Sequence, residues 1–207
     1  MNTSLTIPNE WQHRDNRCGL LFPWYTETFL EELKGWDVRH WRVLEWGSGA
    51  STLWWGKNAR EVISVESDPV WHANVKDGVD ELGLNVDCRF AKDAEAFTAP
   101  VREGPFDCII IDGYFRPECA AAISASPQNI KDNGILILDN FENWREISEV
   151  NLFRINEMRV YPQTHHYYWR TAYWTARNKE YPTNDHEKNS KAQSLRRSTY
   201  EPVQIVS

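Results

Sequence analysis

Between residues 20 and 140 the chain alternates two hydrophobic patterns. Short apolar runs occupy residues 41–46, 61–66, 85–90, 106–111 and 134–138, and each reads as a β-strand. The run Phe106-Asp107-Cys108-Ile109-Ile110-Ile111 is almost wholly apolar, as a strand buried on both faces of a parallel sheet requires. Between the runs the apolar residues recur at helical spacing. Phe29, Leu30 and Leu33 follow a plausible helix start at Pro23, and Gly35 stops the pattern. Trp71, Val75, Val79 and Leu82 mark one helix face, with Ser67 or Asp68 as cap, Pro69 at the first position and Gly83 at the end. An alanine-rich helix is expected over 117–130 and another near 144–153. Residues 158–161 and 171–176 then read as two strands, antiparallel because only a short linker joins them.

Strands that alternate with helices predict an α/β fold with a doubly wound, mostly parallel seven-stranded sheet. Helices would cover both faces, and the C-terminal strand pair would be antiparallel. The expected organisation is an N-terminal arm (1–22), one domain (23–177) and a polar C-terminal tail (178–207). A length of 207 residues suits one main domain with its own core. No apolar run approaches the ~18 residues of a bilayer span, and the polar start lacks the apolar stretch of a secretory signal. Cys18, Cys88, Cys108 and Cys119 form no metal-like spacing and suit a reducing compartment, so the expected location is cytoplasmic, with no membrane partner. The oligomeric state stays open, a homodimer included. Eleven tryptophans stand out, and packing is their default use.

In a doubly wound sheet, ligands bind at the carboxyl ends of the strands, so the chemistry is sought there. The first strand runs into Glu45-Trp46-Gly47-Ser48-Gly49-Ala50-Ser51-Thr52, a glycine turn that exposes backbone amides at a helix start. Glu66 ends the second strand 19 residues after Gly47, where a carboxylate can take ribose hydroxyls. Asp93-Ala94 follows the third strand, and Asp93 could accept from an adenine amine. Asp112-Gly113 ends the fourth and Asp139-Asn140 the fifth. Together these ends describe an adenosine pocket. Thr52 replaces the third glycine of a dinucleotide fingerprint, which disfavours an NAD(P)-dependent oxidoreductase.

These residues resemble the motifs of class I S-adenosylmethionine-dependent methyltransferases, over roughly residues 40–177. The stretch from Glu45 to Thr52 is similar to that family's first motif and Ser64 to Trp71 to its second. Ile111-Asp112-Gly113 with Arg116, and Gly134 to Asn140, are similar to its fourth and fifth strand ends. The resemblance implies a Rossmann-like transferase using S-adenosylmethionine. Glu45 and the turn of Gly47, Ser48 and Gly49 would face the methionine part, Glu66 would hold the ribose, and Ser51, Thr52 and Ser67 would also be cofactor-binding. Asp93 and Ala94 would sit at the adenine, and Asp112 beside the sulfonium or the acceptor.

Asp112 with Asp139 and Asn140 is similar to the metal set of catechol-type O-methyltransferases, which implies a magnesium ion held by three oxygens. Those enzymes carry a lysine beyond the first aspartate, where this chain has Tyr114, Phe115 and Arg116. Asp139, His165 and its neighbour His166 are the candidate bases. Arg116 suits an anionic acceptor, and Tyr114 or Trp144 could touch the acceptor. A net charge of −7 with pI near 5.4 repels phosphate backbones. Asp112-Gly113-Tyr114-Phe115 also lacks the proline pair of amino-methylating DNA enzymes. The expected reaction is therefore methyl transfer to oxygen or nitrogen of a small molecule, with no nucleic acid partner. The rival reading is a binding or assembly module that kept the fold and lost the chemistry.

Overall fold

A computed structural model describes residues 23–141, 158–162 and 170–175. These lie in the first of two units, Met1–Arg177, the second being Asn178–Ser207. In chain order the helices and strands are α1 (Glu27–Leu33), β1 (Arg42–Trp46), α2 (Ala50–Asn58), β2 (Glu61–Glu66), α3 (Pro69–Leu82), β3 (Val86–Phe90) and α4 (Ala94–Thr98). Then come β4 (Phe106–Ile111), α5 (Arg116–Ala125), β5 (Ile130–Leu138), β6 (Met158–Pro162) and β7 (Arg170–Thr175). The strands form one sheet in the order β3-β2-β1-β4-β5-β7-β6. Strands β1 to β5 pair in parallel, and β7 pairs antiparallel with both β5 and β6. The chain order reverses between β1 and β4, so the connections leave in opposite directions and a crevice opens at the carboxyl ends of these two strands.

Side chains alternate across a strand, and the two sets build two cores. Leu44, Trp46, Ile109, Ile111 and Leu138 pack with Phe97, Cys119 and Ile123. Val43, Cys108, Ile110, Ile137 and Tyr173 pack with Phe29, Leu33 and Trp55. Each fully buried side chain of this kind stabilises by about 1.5–3 kcal/mol. Four tryptophans thicken the second core: Trp41 stacks on Trp55 at 6.1 Å, Trp54 meets Trp55 edge-on at 4.8 Å, and Trp36 meets Tyr173 at 5.1 Å. The packing use of tryptophan accounts for these four.

Local signals end the elements where chemistry demands. Asp68 accepts from the amides of Val70 (2.9 Å) and Trp71 (2.8 Å), with Pro69 at the first helical position of α3. Gly83 closes that helix at φ +61°. Two expectations need correction. The helix expected over 117–130 stops at Ala125, because proline at 127 lacks an amide donor and drives Ser126 out of helical backbone (φ −138°, ψ 53°). The fifth strand consequently starts at Ile130 instead of Gly134, and its register against β4 shifts between Phe106 and Cys108.

The arm (1–22), the segment 144–153 with Trp144, the linker carrying His165 and His166, and the tail (178–207) lie outside the described residues. Among the described residues no helix is long and apolar enough to cross a membrane. Cys88, Cys108 and Cys119 are free thiols, and burial pushes Cys88 up to about 12.

Candidate functional site

The first half of the crevice is built at the ends of β1 and β2. Parallel pairing sets Ser64 opposite Glu45, and the glycine turn returns Ser51 and Thr52 over the same carboxylate. Glu45 is fully buried. Ser51 Oγ donates to its Oε1 at 2.5 Å, Ser64 Oγ donates to Oε2 at 2.7 Å, and Thr52 Oγ1 donates to Oε2 as well. Thr52 Oγ1 in turn accepts from the amide of Gly49 at 2.8 Å. Burial lifts the Glu45 carboxyl to about 7, the three hydroxyls hold it partly down, and the charge of Asp112 adds to the rise.

Glu66 is the second carboxylate of this half. It accepts from the amides of Ser48 (3.0 Å), Ser67 (2.6 Å) and Asp68 (2.8 Å), and so ties the first turn to the second. Gly47 has φ +101°, and a Cβ there would lie 2.5 Å from the amide nitrogen of Gly113. Only glycine lets the ends of β1 and β4 approach this closely. Gly49 is different: its backbone is extended, and a Cβ would meet only Trp71 Nε1, at 4.0 Å. The Trp71 indole donates to the carbonyl of Ser48 and packs beside Trp24 at 6.2 Å, an aromatic wall over the turn.

The second half lies at the ends of β4 and β5. Ile111 pairs with Leu138, so Asp112 and Asp139 leave adjacent strands side by side. Arg116, a residue 7% exposed, closes this corner. Its Nε donates to the carbonyl of Gly113 at 2.9 Å, and its Nη1 donates to the carbonyl of Asp139. Its Nη2 reaches the carbonyl of Asp112 (3.0 Å), Asp112 Oδ1 (2.9 Å) and Asn140 Oδ1 (3.2 Å). Asn140 supplies that oxygen from left-handed backbone, φ +51°. Asp139 is 3% exposed and accepts from Thr171 Oγ1 at 2.6 Å, while Thr171 Oγ1 accepts from the amide of Thr26 at 3.0 Å.

No family model matches the sequence, and no curated protein matches it. Solved structures do. A 16S rRNA methyltransferase (RsmC) from T. thermophilus, solved with AdoMet and guanosine, is 19% identical with a TM-score of 0.53. The match covers 72% of this chain and 41% of that one, so the chain spans under half of that neighbour's length. A methyltransferase-like protein from Silicibacter pomeroyi matches at 18% identity and TM-score 0.55, over 87% of this chain and 98% of its own. A tRNA methyltransferase from B. subtilis (TrmK) matches at 15% identity and TM-score 0.51, over 72% and 65%. The chain has the class I methyltransferase fold.

The same neighbours overturn one expectation. Nucleic acid does not fall outside the partners of this methyltransferase fold, since an rRNA and a tRNA methyltransferase are among its structural neighbours. A net charge of −7 describes the whole surface, whereas a substrate meets one local patch.

Within the methyltransferase fold, the predicted site residues separate into three groups. Gly47, Ser48, Gly49, Glu66, Ser67, Asp112 and Asp93 stand at strand ends along the crevice side of the sheet; Asp93 caps α4 by accepting from Ala96 N at 2.9 Å, and Ala94 opens that helix. Glu45, Ser51 and Thr52 are buried, and the two hydroxyls bond the Glu45 carboxylate and so shape the turn. The corner residues carry three corrections. The oxygens of Asp112 and Asn140 are turned to a guanidinium and Asp139 Oδ1 to a hydroxyl, so the set does not fit a magnesium ion. Among the described residues no cluster of His, Cys, Asp and Glu has metal-binding geometry. Arg116 is buried and spends its donors on the protein, so it is not open to an anionic acceptor. Asp139 is an anchor for β7 and not a base open to an acceptor. Sequence reasoning missed Ser64 and Thr171, whose roles depend on strand register, and Trp24, whose role depends on packing.

A shallow cleft lined by Trp36, Asp37, Arg39 and Trp54 lies near the amino end of β1 and holds none of the predicted residues.

Proposed function

We propose that the chain is an S-adenosylmethionine-dependent methyltransferase acting on an oxygen or nitrogen acceptor. The observation that carries this reading is the pairing of Glu66 with Gly49. A carboxylate held by three backbone amides ends β2, and beside it lies a turn glycine that the protein's own packing does not require. An extended glycine with open space at its missing Cβ lets a ligand come close to backbone. Oε2 of Glu66 takes one amide, from Ser48, and its second lone pair suits a ribose hydroxyl.

In this reading the Gly47–Gly49 turn receives the amino-acid portion, and Glu66 with Ser67 takes the ribose. Asp93 and Ala94 border the adenine, and Asp112 faces the reacting centre. When bound, S-adenosylmethionine supplies a methyl group on a sulfonium, transferred by in-line displacement. The protein's task is alignment and exclusion of water. Trp24 and Trp71 wall the turn, while Asp112 keeps its orientation through Arg116. His165, in the linker between β6 and β7, is the base this reading offers where an acceptor must lose a proton.

RNA belongs in the acceptor screen because of the neighbours' substrates. A planar acceptor would also find Tyr114, 78% exposed on the turn after Asp112 and edge-on to Phe115 at 5.1 Å. The test is calorimetric titration with S-adenosylhomocysteine, with NADH as control, followed by labelled methyl transfer to tRNA, rRNA and small hydroxyl and amine acceptors. Micromolar product binding with transfer to one class supports the reading. Binding without transfer to any class favours the module that lost its chemistry, and preference for NADH ends the proposal.

A further inference from the structure

The corner between β4 and β5 gathers five oxygens around the three nitrogens of one guanidinium. They are the carbonyls of Asp112, Gly113 and Asp139, Asp112 Oδ1 and Asn140 Oδ1. All are hard oxygen donors and one carries a full charge, the set a divalent cation selects. The Arg116 guanidinium spans that corner instead. Its planar fork directs donors to several acceptors at once. Asp112 is only partly buried, and its carboxylate meets the guanidinium at 2.9 Å in a charge-assisted contact.

We propose that Arg116 is the resident cation of this corner: a positioning residue that orients Asp112 and the Asp139–Asn140 turn in place of a divalent metal ion, so that the site works without one. Its work is geometric. Arg116 leaves α5 at its first position and reaches both strand ends, which fixes Asp112 against the crevice and β5 against β4. The link from Asp139 through Thr171 to Thr26 then carries the same corner to β7 and the start of α1. The side chain touches neither ligand nor acceptor; it acts through Asp112.

This inference rests on the methyltransferase reading only for the meaning of "site"; its test does not. Bound Mn²⁺ is counted by electron paramagnetic resonance in the wild-type chain, in Arg116→Ala and in Arg116→Ala/Asp112→Asn. The wild type is expected to leave Mn²⁺ free. Arg116→Ala is expected to bind about one equivalent and to gain thermal stability with millimolar Mg²⁺, as a vacated hard-oxygen corner would. The double variant is expected to lose that binding. Arg116→Lys keeps the charge, so it should fold and still leave Mn²⁺ free. A merely structural arginine would destabilise when removed but create no ion site. Wild-type binding of one equivalent that Asp112→Asn abolishes would overturn the proposal. So would a folded Arg116→Ala that binds none. If the alanine variant does not fold, the wild type and Arg116→Lys decide: both free of Mn²⁺ supports the proposal, and one equivalent in either overturns it. Failure of the product titration alone removes the methyltransferase reading and leaves the ion count standing.

Discussion

The two halves of the crevice differ in one partner of their carboxylates, a cation. At β1 and β2, Glu45 and Glu66 are met by neutral donors, three hydroxyls for the one and three amides for the other. At β4 and β5, Asp112 is met by a buried guanidinium, and Asp139 by the Thr171 hydroxyl. Neutral donors can be shared with a ligand, and burial leaves Glu45 sensitive to pH. A cation fixes its partner's orientation and leaves less to exchange. One half is thus built to respond, the other to stay fixed.

The largest expected effect falls on the responsive half. Glu66→Ala should weaken S-adenosylhomocysteine binding by at least about 100-fold, roughly 3 kcal/mol, in the same calorimeter. Near-wild-type affinity would remove Glu66 from the ribose position. Next comes a contrast of two glycines. Gly47→Ala would strain a left-handed residue and drive a Cβ into the Gly113 backbone, costing on the order of 2–4 kcal/mol in urea unfolding. Gly49→Ala should change stability by less than about 1 kcal/mol and yet lose product affinity. Equal stability losses in the two variants would mean that Gly49 serves the fold and not a ligand.

The third prediction concerns pH. Glu45 is raised from 4.5 to about 7, so the folded chain binds its proton more tightly than the unfolded chain does. Stability from this group is full below about 4.5 and is lost as pH rises through about 7, a change on the order of 3 kcal/mol. Glu45→Gln keeps the shape and should flatten that slope, as thermal melts between those limits would reveal. An unchanged slope would assign the pH response to another group.

The smallest effect is expected at Thr26, whose hydroxyl is the one buried side-chain polar atom without a partner among the described residues. Thr26→Val should leave stability unchanged or raise it by up to ~1 kcal/mol, because no bond is lost and a buried polar atom is removed. A loss above ~1 kcal/mol would show that the hydroxyl has a partner in solution.

Much of this was legible in the sequence where the cause is local. The apolar run of β4, the Asp68-Pro69 start of α3 and its Gly83 stop are each written within a few residues. The Ser126-Pro127 break was equally local, but the alanine-rich pattern before it suggested a longer helix. The site was legible as a set of strand ends and not as a set of contacts. Glu45 looks like a ligand group until pairing brings Ser64 opposite it. Asp112, Asp139 and Asn140 look like metal ligands until the adjacency of β4 and β5 lets one arginine reach all three. Register and adjacency are properties of the assembled sheet, and no short window of sequence contains them.

The contacts of α1 also set an order for the protein's own synthesis. Thr26 bonds Thr171 across 145 residues, and Glu32 accepts from the Tyr173 hydroxyl across 141. Phe29 packs on Tyr173 at 5.8 Å. A nascent chain makes α1 first and its cover last. Until β7 leaves the ribosome, the apolar face of α1 has no permanent neighbour there, and the half-made sheet offers β5 as an open edge. A molecule stalled at that point would be sticky in a way the finished one is not, so chaperone capture and aggregation should concentrate in chains truncated just before Arg170.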